Sequence, residues 1–410
     1  MDIQNRLAPL SSGGRGNPFF SAAGRRISVS IAVGFFALAG CGSPARAPVS
    51  EAVPSEAAAI QSFTAAPTEF ALTDTPTPAD TPTPTQTSTP AVINPLTGLP
   101  VSDASLIERR PLAIKVSNYP RTARPQAGLS YADLLFEFYQ EYGLTRWQAV
   151  YLSRDAAKVG PIRSGRRIDV PLMRAYQSML TFCAEFDTTW TYMDQEGVRN
   201  LLLYFGPVGP PAMWRDDAQI PINGIYGNTA ELRKAAKYLK IPDINPELKG
   251  MVFSDAPPAM SGAGASLQVR FLSDTAVAEW RYNPADGKYY RWSETDNGKM
   301  APLTDRLTGE QLSVSNLIVV YVNYIQRNGD QIYELELFGE GKALFFRDGL
   351  EESGGWRLPK IDRPLQFIGP EGPFPLKPGV SWIVMVEESS TESRTGDAWT
   401  VKFGQPAMGT

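Results

Sequence analysis

Ala256-Pro257-Pro258-Ala259-Met260-Ser261-Gly262-Ala263-Gly264 separates two kinds of sequence. Consecutive prolines fix φ and remove backbone donors, and the small residues around them offer little to pack, so the stretch reads as a connection. After it the pattern turns almost wholly to strands. Residues 267–271, 278–282, 288–292, 317–324, 332–338, 343–346 and 382–386 are short β-branched or aromatic runs separated by Gly, Asp and Pro turns. Before it, strand and helix signals are mixed. Leu112–Ser117 alternates and ends in a turn, 133–139 and 147–152 are further strand candidates, and Glu141-Tyr142-Gly143 between them predicts a hairpin. Asp169 stands where it would cap a helix opening with Val170-Pro171, since proline is tolerated in a first turn. Asn228-Thr229-Ala230-Glu231 has the form of a capping box ahead of residues 232–239. These elements do not alternate regularly enough for a doubly wound sheet. The expected class is therefore α+β: a mixed α/β domain at 94–255, a linker at 256–266, a smaller β-rich domain at 267–390 and a tail at 391–410.

Upstream of residue 94 there is no folding pattern. Residues 44–92 are dominated by Pro, Thr, Ala and Ser, including Thr75-Pro76-Thr77-Pro78 and Thr81-Pro82-Thr83-Pro84-Thr85. Such a composition buries too little apolar area to offset chain entropy, so it reads as a disordered, polyproline-like stalk. Ahead of it, Arg25 and Arg26 flank an apolar run at 27–40 that ends in Leu38-Ala39-Gly40-Cys41. That run is shorter than the roughly 20 apolar residues a membrane-spanning helix needs. It reads instead as a signal peptide over 1–40, removed on export, with small residues leading into the cysteine. Cys41 is the expected lipidation site, carrying acyl chains such as palmitate. Each buried CH₂ contributes about 0.8 kcal/mol, and two chains suffice to hold a folded ectodomain. The expected address is the extracytoplasmic face of a bacterial cell membrane, with 41–93 as spacer.

The chain contains no histidine. Ser-His-Asp and Cys-His catalysis, His-bearing zinc sites and histidine general bases are thereby excluded. Its two cysteines are Cys41 and Cys183, too few for a thiolate metal site. Cys183 lies in an apolar stretch and reads as a buried, inert thiol. There is no Gly-x-Ser-x-Gly elbow, P-loop or dinucleotide fingerprint. No cofactor and no metal are expected, and an enzyme is not the favoured reading. A formal net charge of −4 gives no case for nucleic acid as a partner.

The densest polar constellation is Lys158-Val159-Gly160-Pro161-Ile162-Arg163-Ser164-Gly165-Arg166-Arg167. Glycine and proline predict a tight exposed turn just before a helix start, and arginine supplies planar, bidentate recognition of carboxylate or phosphate. Gly160, Arg163, Ser164 and Arg166, joined by Arg124 and Arg146, are candidates for binding an anionic ligand such as a cell-wall polymer, a muropeptide carboxylate or a lipid phosphate. The alternative is that these arginines pair with Asp133, Glu137, Asp155 and Asp169 and hold the turn. A second constellation joins Trp214-Arg215-Asp216-Asp217 to Asn223 and Tyr226 and suits a sugar or peptide groove. Asp216 and Asp217, with Glu137 and Glu141, would serve a carboxylate-dependent cell-wall hydrolase if two of them converge. Trp280, Trp356 and Trp382 read as core packing. A third reading, an adaptor for an envelope protein partner, would need an exposed sheet edge or an apolar patch.

Several ordered blocks of sequence bear a likeness. Asn94-Pro95-Leu96-Thr97-Gly98, Arg124-Pro125-Gln126, Gly143-Leu144-Thr145-Arg146 and Gly160-Pro161-Ile162-Arg163-Ser164 lie in the first half. Trp280-Arg281-Tyr282, Tyr289-Tyr290-Arg291, Thr308-Gly309-Glu310-Gln311-Leu312 and Gly379-Val380-Ser381-Trp382 lie in the second. Together these resemble the YerB-like lipoprotein family (DUF3048), of uncharacterised function, over most of residues 94–390. The resemblance implies a signal, a lipid anchor, a spacer, a mixed α/β domain and a β-rich one. It also implies histidines where this chain has Phe182-Cys183-Ala184-Glu185-Phe186 and Pro221-Ile222-Asn223.

Overall fold

The computed structural model describes residues 91–184, 187–216, 224–271, 276–326 and 333–406. All of them belong to one compact unit, Pro84–Thr410. The signal peptide, Cys41 and most of the stalk lie outside the described residues, as do Asp217 and Asn223.

The sheet is organised around the hairpin. Leu134–Glu141 and Leu144–Tyr151 pair antiparallel. Tyr142 and Gly143 between them have φ of 53° and 76°, the left-handed pair that a two-residue turn matching strand twist requires. Leu112–Ser117 joins the far side of Leu144–Tyr151, and Met179–Phe182 and Leu202–Tyr204 extend the sheet in parallel. On the other side of the hairpin, Ser381–Glu387 lies parallel between Leu134–Glu141 and Asn316–Val322. Gly339–Arg347, Leu350–Leu358 and Gln366–Gly369 follow in antiparallel register. One twelve-stranded sheet thus draws strands from both sides of the expected linker.

A second sheet runs in the order Met300–Pro302, Lys288–Glu294, Val277–Asn283, Ser266–Arg270, Ala398–Lys402, Thr391–Thr395. It covers one face of the long sheet, where Trp147, Trp382 and Trp280 meet edge to face at centroid distances of 5.5 and 5.6 Å. Trp280, Trp356 and Trp382 are all buried, as read from the sequence. The opposite face carries the helices Asp169–Ala175 and Asp187–Gln195. There Val170, Met173 and Met193 close on Ala113, Leu180, Phe182, Val198 and Leu202. Burying each large apolar side chain contributes roughly 1.5–3 kcal/mol. Thr229–Tyr238 is the third α-helix among the described residues, and Asn228 caps it by accepting from the Glu231 backbone N–H at 3.1 Å.

The architecture is mainly β, so the expectation of an α+β fold with a mixed first half and a β-rich second half holds only loosely: strands of the second half continue the sheet of the first. The expected linker at 256–266 is also shorter. Gly262–Ala263 pairs with the Leu350–Leu358 strand, and Ser266 opens a strand. The expected tail at 391–410 contains two strands, because Val401 is a core residue and Ala398–Lys402 docks in parallel on Ser266–Arg270. Asp169 is the first residue of its helix and not its cap, since Ile168 holds the cap position.

Candidate functional site

The segment after Gly160 runs as an extended wedge across the carboxyl ends of Leu112–Ser117 and Met179–Phe182. The Ser117 N–H donates to Pro161 O at 2.9 Å and the Arg163 N–H to Lys115 O at 2.9 Å. The Cys183 N–H donates to Arg163 O at 3.0 Å, and the Gly165 N–H to Ala184 O at 2.8 Å. Open parallel sheets place their ligands at such strand ends. Gly160 makes the wedge possible. Its φ is +144°, and a Cβ there would stand 2.8 Å from Ile162 N and 2.9 Å from Ile225 O. Its own N–H and C=O are spent on Ala127, so Gly160 shapes the turn and does not face a ligand.

Several charged side chains lie buried on this face of the sheet, beside aromatic ones such as Phe138, over whose ring Lys115 sits. Lys115 donates to Asp169 Oδ1 at 2.7 Å, with both side chains fully buried. Burial pushes the Lys115 ammonium down to about 8, a drop that Asp169 opposes and that Arg166 and Arg146 add to. Asp169 also accepts from the Arg166 N–H at 2.8 Å. The Arg166 guanidinium forks onto Glu141, Nε to Oε2 at 3.0 Å and Nη2 to Oε1 at 2.7 Å.

Among the described residues, Arg146 and Arg163 have no such partner. Arg146 donates to Thr145 O at 3.1 Å. Arg163 donates through Nε to Ser117 Oγ at 3.1 Å and through Nη2 to Tyr119 O at 3.4 Å. Both are half-buried, and among the described residues neither lies within ion-pair distance of a carboxylate. Burial, then the charge of Arg163, pushes Arg146 down to about 10. Arg163 is lowered as well, chiefly by burial, with Arg166 adding to it. Ser164 hydrogen-bonds the Cys183 thiol, which burial nevertheless pushes up, favouring the protonated form.

The other predicted residues go elsewhere. Arg124 is spent on Glu294, donating to its backbone O at 2.7 Å and to Oε1 at 3.1 Å, and it lies over the Tyr119 ring. Asp216 takes Lys158 Nζ at 2.6 Å. Tyr226 is buried, with its hydroxyl accepting from Arg306 at 3.1 Å and Lys158 over its ring. Asp216 and Tyr226 are therefore joined through Lys158 in a second cluster, away from Arg146. Of the four carboxylates considered for hydrolysis, Glu137, Glu141 and Asp216 are each bound to a cation, Glu137 to Arg291 at 3.3 Å. Arg124 and Arg166 thus do pair, but with Glu294 and Glu141 and not with the acids expected. Asp133 instead binds Asn94 and the Leu152 and Ser153 N–H groups, and Asp155 binds Arg109 and Arg233. Lys115 and Glu141 were missed as neighbours of the arginines because only pairing of strands brings them there.

Residues 96–242 match the N-terminal domain, and residues 267–383 the C-terminal domain, of the family described as protein of unknown function DUF3048. The chain is 28% identical over 303 residues to "Putative lipoprotein YerB" of Bacillus subtilis, covering 73% of this chain and 87% of the relative. The crystal structure of the YerB protein from Bacillus subtilis superposes with a TM-score of 0.62 at 25% identity, covering 72% of this chain and 96% of that one. Matched by both domain models in order, in sequence and in fold, the chain belongs to the DUF3048 family of YerB-like proteins.

Proposed function

We propose that this protein is a lipid-anchored component of the bacterial cell envelope, tethered through Cys41, that binds an anionic ligand at Arg146 and Arg163 without catalysing a reaction. The lipoprotein name of its Bacillus subtilis relative and the Leu38-Ala39-Gly40-Cys41 box support the anchor. One observation carries the binding site: two adjacent guanidinium groups, Arg146 and Arg163, are both lowered chiefly by burial and meet no carboxylate at ion-pair distance among the described residues. A buried arginine that serves structure alone is normally paired. A phosphate or carboxylate oxygen pair, as in a wall polymer or muropeptide, would supply the missing charge through bidentate contacts. Ser164, half-buried beside them, offers a neutral hydroxyl.

The test is binding of isolated cell-wall fragments over a salt series, comparing wild type with Arg146→Ala/Arg163→Ala. Salt-sensitive binding that the double substitution removes is the expected result. Retained binding in the variant, or none by wild type, would defeat this reading and favour a protein partner.

A further inference from the structure

We infer that the cavity beside the end of the Thr229–Tyr238 helix is a docking site for an anionic phospholipid headgroup, holding this face of the protein against the membrane surface. This goes beyond the binding of a wall ligand at Arg146 and Arg163, and uses none of those residues. The cavity is about 500 Å³ and has an apolar floor of Met179, Ala236 and Ile241. Its rim carries Arg109, Arg233, Lys234, Lys237 and Lys240, against one carboxylate, Asp243.

Three of those cations are already engaged: Asp155 takes Arg109 at 3.0 Å and Arg233 at 3.4 Å, and Glu231 takes Lys234 at 2.7 Å. Asp243 is held by the Arg110 and Ile244 N–H groups. Lys237 and Lys240 have no carboxylate partner among the described residues, and both are exposed. Cations at a helix carboxyl end offset its dipole, which accounts for their sign but not for what lies next to them. Tyr238 is 86% exposed and Leu239 is 43% exposed, between the two lysines in sequence. Lys240 has φ of 57°, so the chain turns sharply there at the helix end.

A phenol and an isobutyl group left in water at the helix end, next in sequence to two lysines that border a cavity with an apolar floor, have the chemistry of the membrane interface. Amphipathic aromatic rings settle at headgroup level, and lysines are drawn to anionic lipids. The phosphate of an anionic lipid meets Lys237 and Lys240 while its glycerol and first methylenes cover the floor.

Co-sedimentation of the compact unit Pro84–Thr410, which carries no acyl chain, tests this with phosphatidylcholine vesicles and with vesicles that also contain phosphatidylglycerol. Binding only to the anionic vesicles is expected. It should fall at least about twentyfold in Lys237→Glu/Lys240→Glu and several-fold in Tyr238→Ser, all three residues being exposed and safe for folding. Arg146→Ala/Arg163→Ala should bind vesicles as wild type does, whether or not it binds wall fragments. Equal binding to neutral vesicles, full binding by the lysine variant, or displacement by millimolar inorganic phosphate would each overturn the proposal, the last by showing a free-phosphate site.

Discussion

The two faces of the long sheet each bury arginine, and they treat it differently. On the face covered by the second sheet, Arg291 is 1% exposed, lies over the rings of Trp280 and Trp382, and donates to Glu137 at 3.3 Å. Glu137 in turn accepts from Thr145 Oγ1 at 3.0 Å. On the helix-covered face, Lys115 and Arg166 are matched by Asp169 and Glu141, while Arg146 and Arg163 meet no carboxylate among the described residues. Charge that is fully compensated belongs to the architecture. Charge that is desolvated and left over raises the cost of the folded state, a cost that the proposed ligand would offset.

The sharpest way to break this contrast is Arg291→Met. It leaves the buried Glu137 carboxylate without its cation, and should cost about 3–5 kcal/mol in urea unfolding, with most of that recovered in Arg291→Met/Glu137→Gln. If the single substitution is neutral, the aromatic face does not depend on its ion pair. A smaller effect follows from Lys115, whose ammonium is held near 8 in the folded protein against 10.5 when unfolded. Between those values the unfolded chain binds more protons, so folded stability contributed by this group rises with pH and its full penalty applies below pH 8. The difference in unfolding free energy between wild type and Lys115→Met should therefore shift in favour of wild type by roughly 2 kcal/mol from pH 8 to 10. Comparison with that variant removes the contribution of the tyrosines, which titrate in the same range. The smallest effect runs the other way. Arg146→Met should stabilise the protein by about 1 kcal/mol in thermal unfolding while weakening ligand binding, because it removes an unmatched charge. Destabilisation by that substitution would place Arg146 with the structural arginines.

Local signals in the sequence were legible. Leu112–Ser117 forms as read, the Tyr142-Gly143 turn closes the hairpin, and Asn228 caps its helix, each decided within a few residues. Strands without an apolar rhythm were not. Leu350–Leu358 contains Glu351-Glu352-Ser353-Gly354-Gly355, and Thr391–Thr395 is polar and exposed throughout; both are strands because a neighbouring strand pairs with them. Within the candidate site, the arginine-rich turn could be picked out from composition, but its division into paired and unpaired arginines could not. Arg166 meets Glu141 across 25 positions of sequence, and Lys115 meets Asp169 across 54. Those distances are closed by topology, not by spacing.

The placement of Ser381–Glu387 also sets an order of assembly. This strand fills the gap between Leu134–Glu141 and Asn316–Val322, yet it is made long after the hairpin it pairs with. Until it arrives, the hairpin of the first half keeps an apolar edge with unpaired backbone donors and acceptors, a template for mispairing. Contacts so distant along the chain are slow to form, because the loop must close before they repay its entropy. Neither half of the long sheet is therefore a finished product without the other.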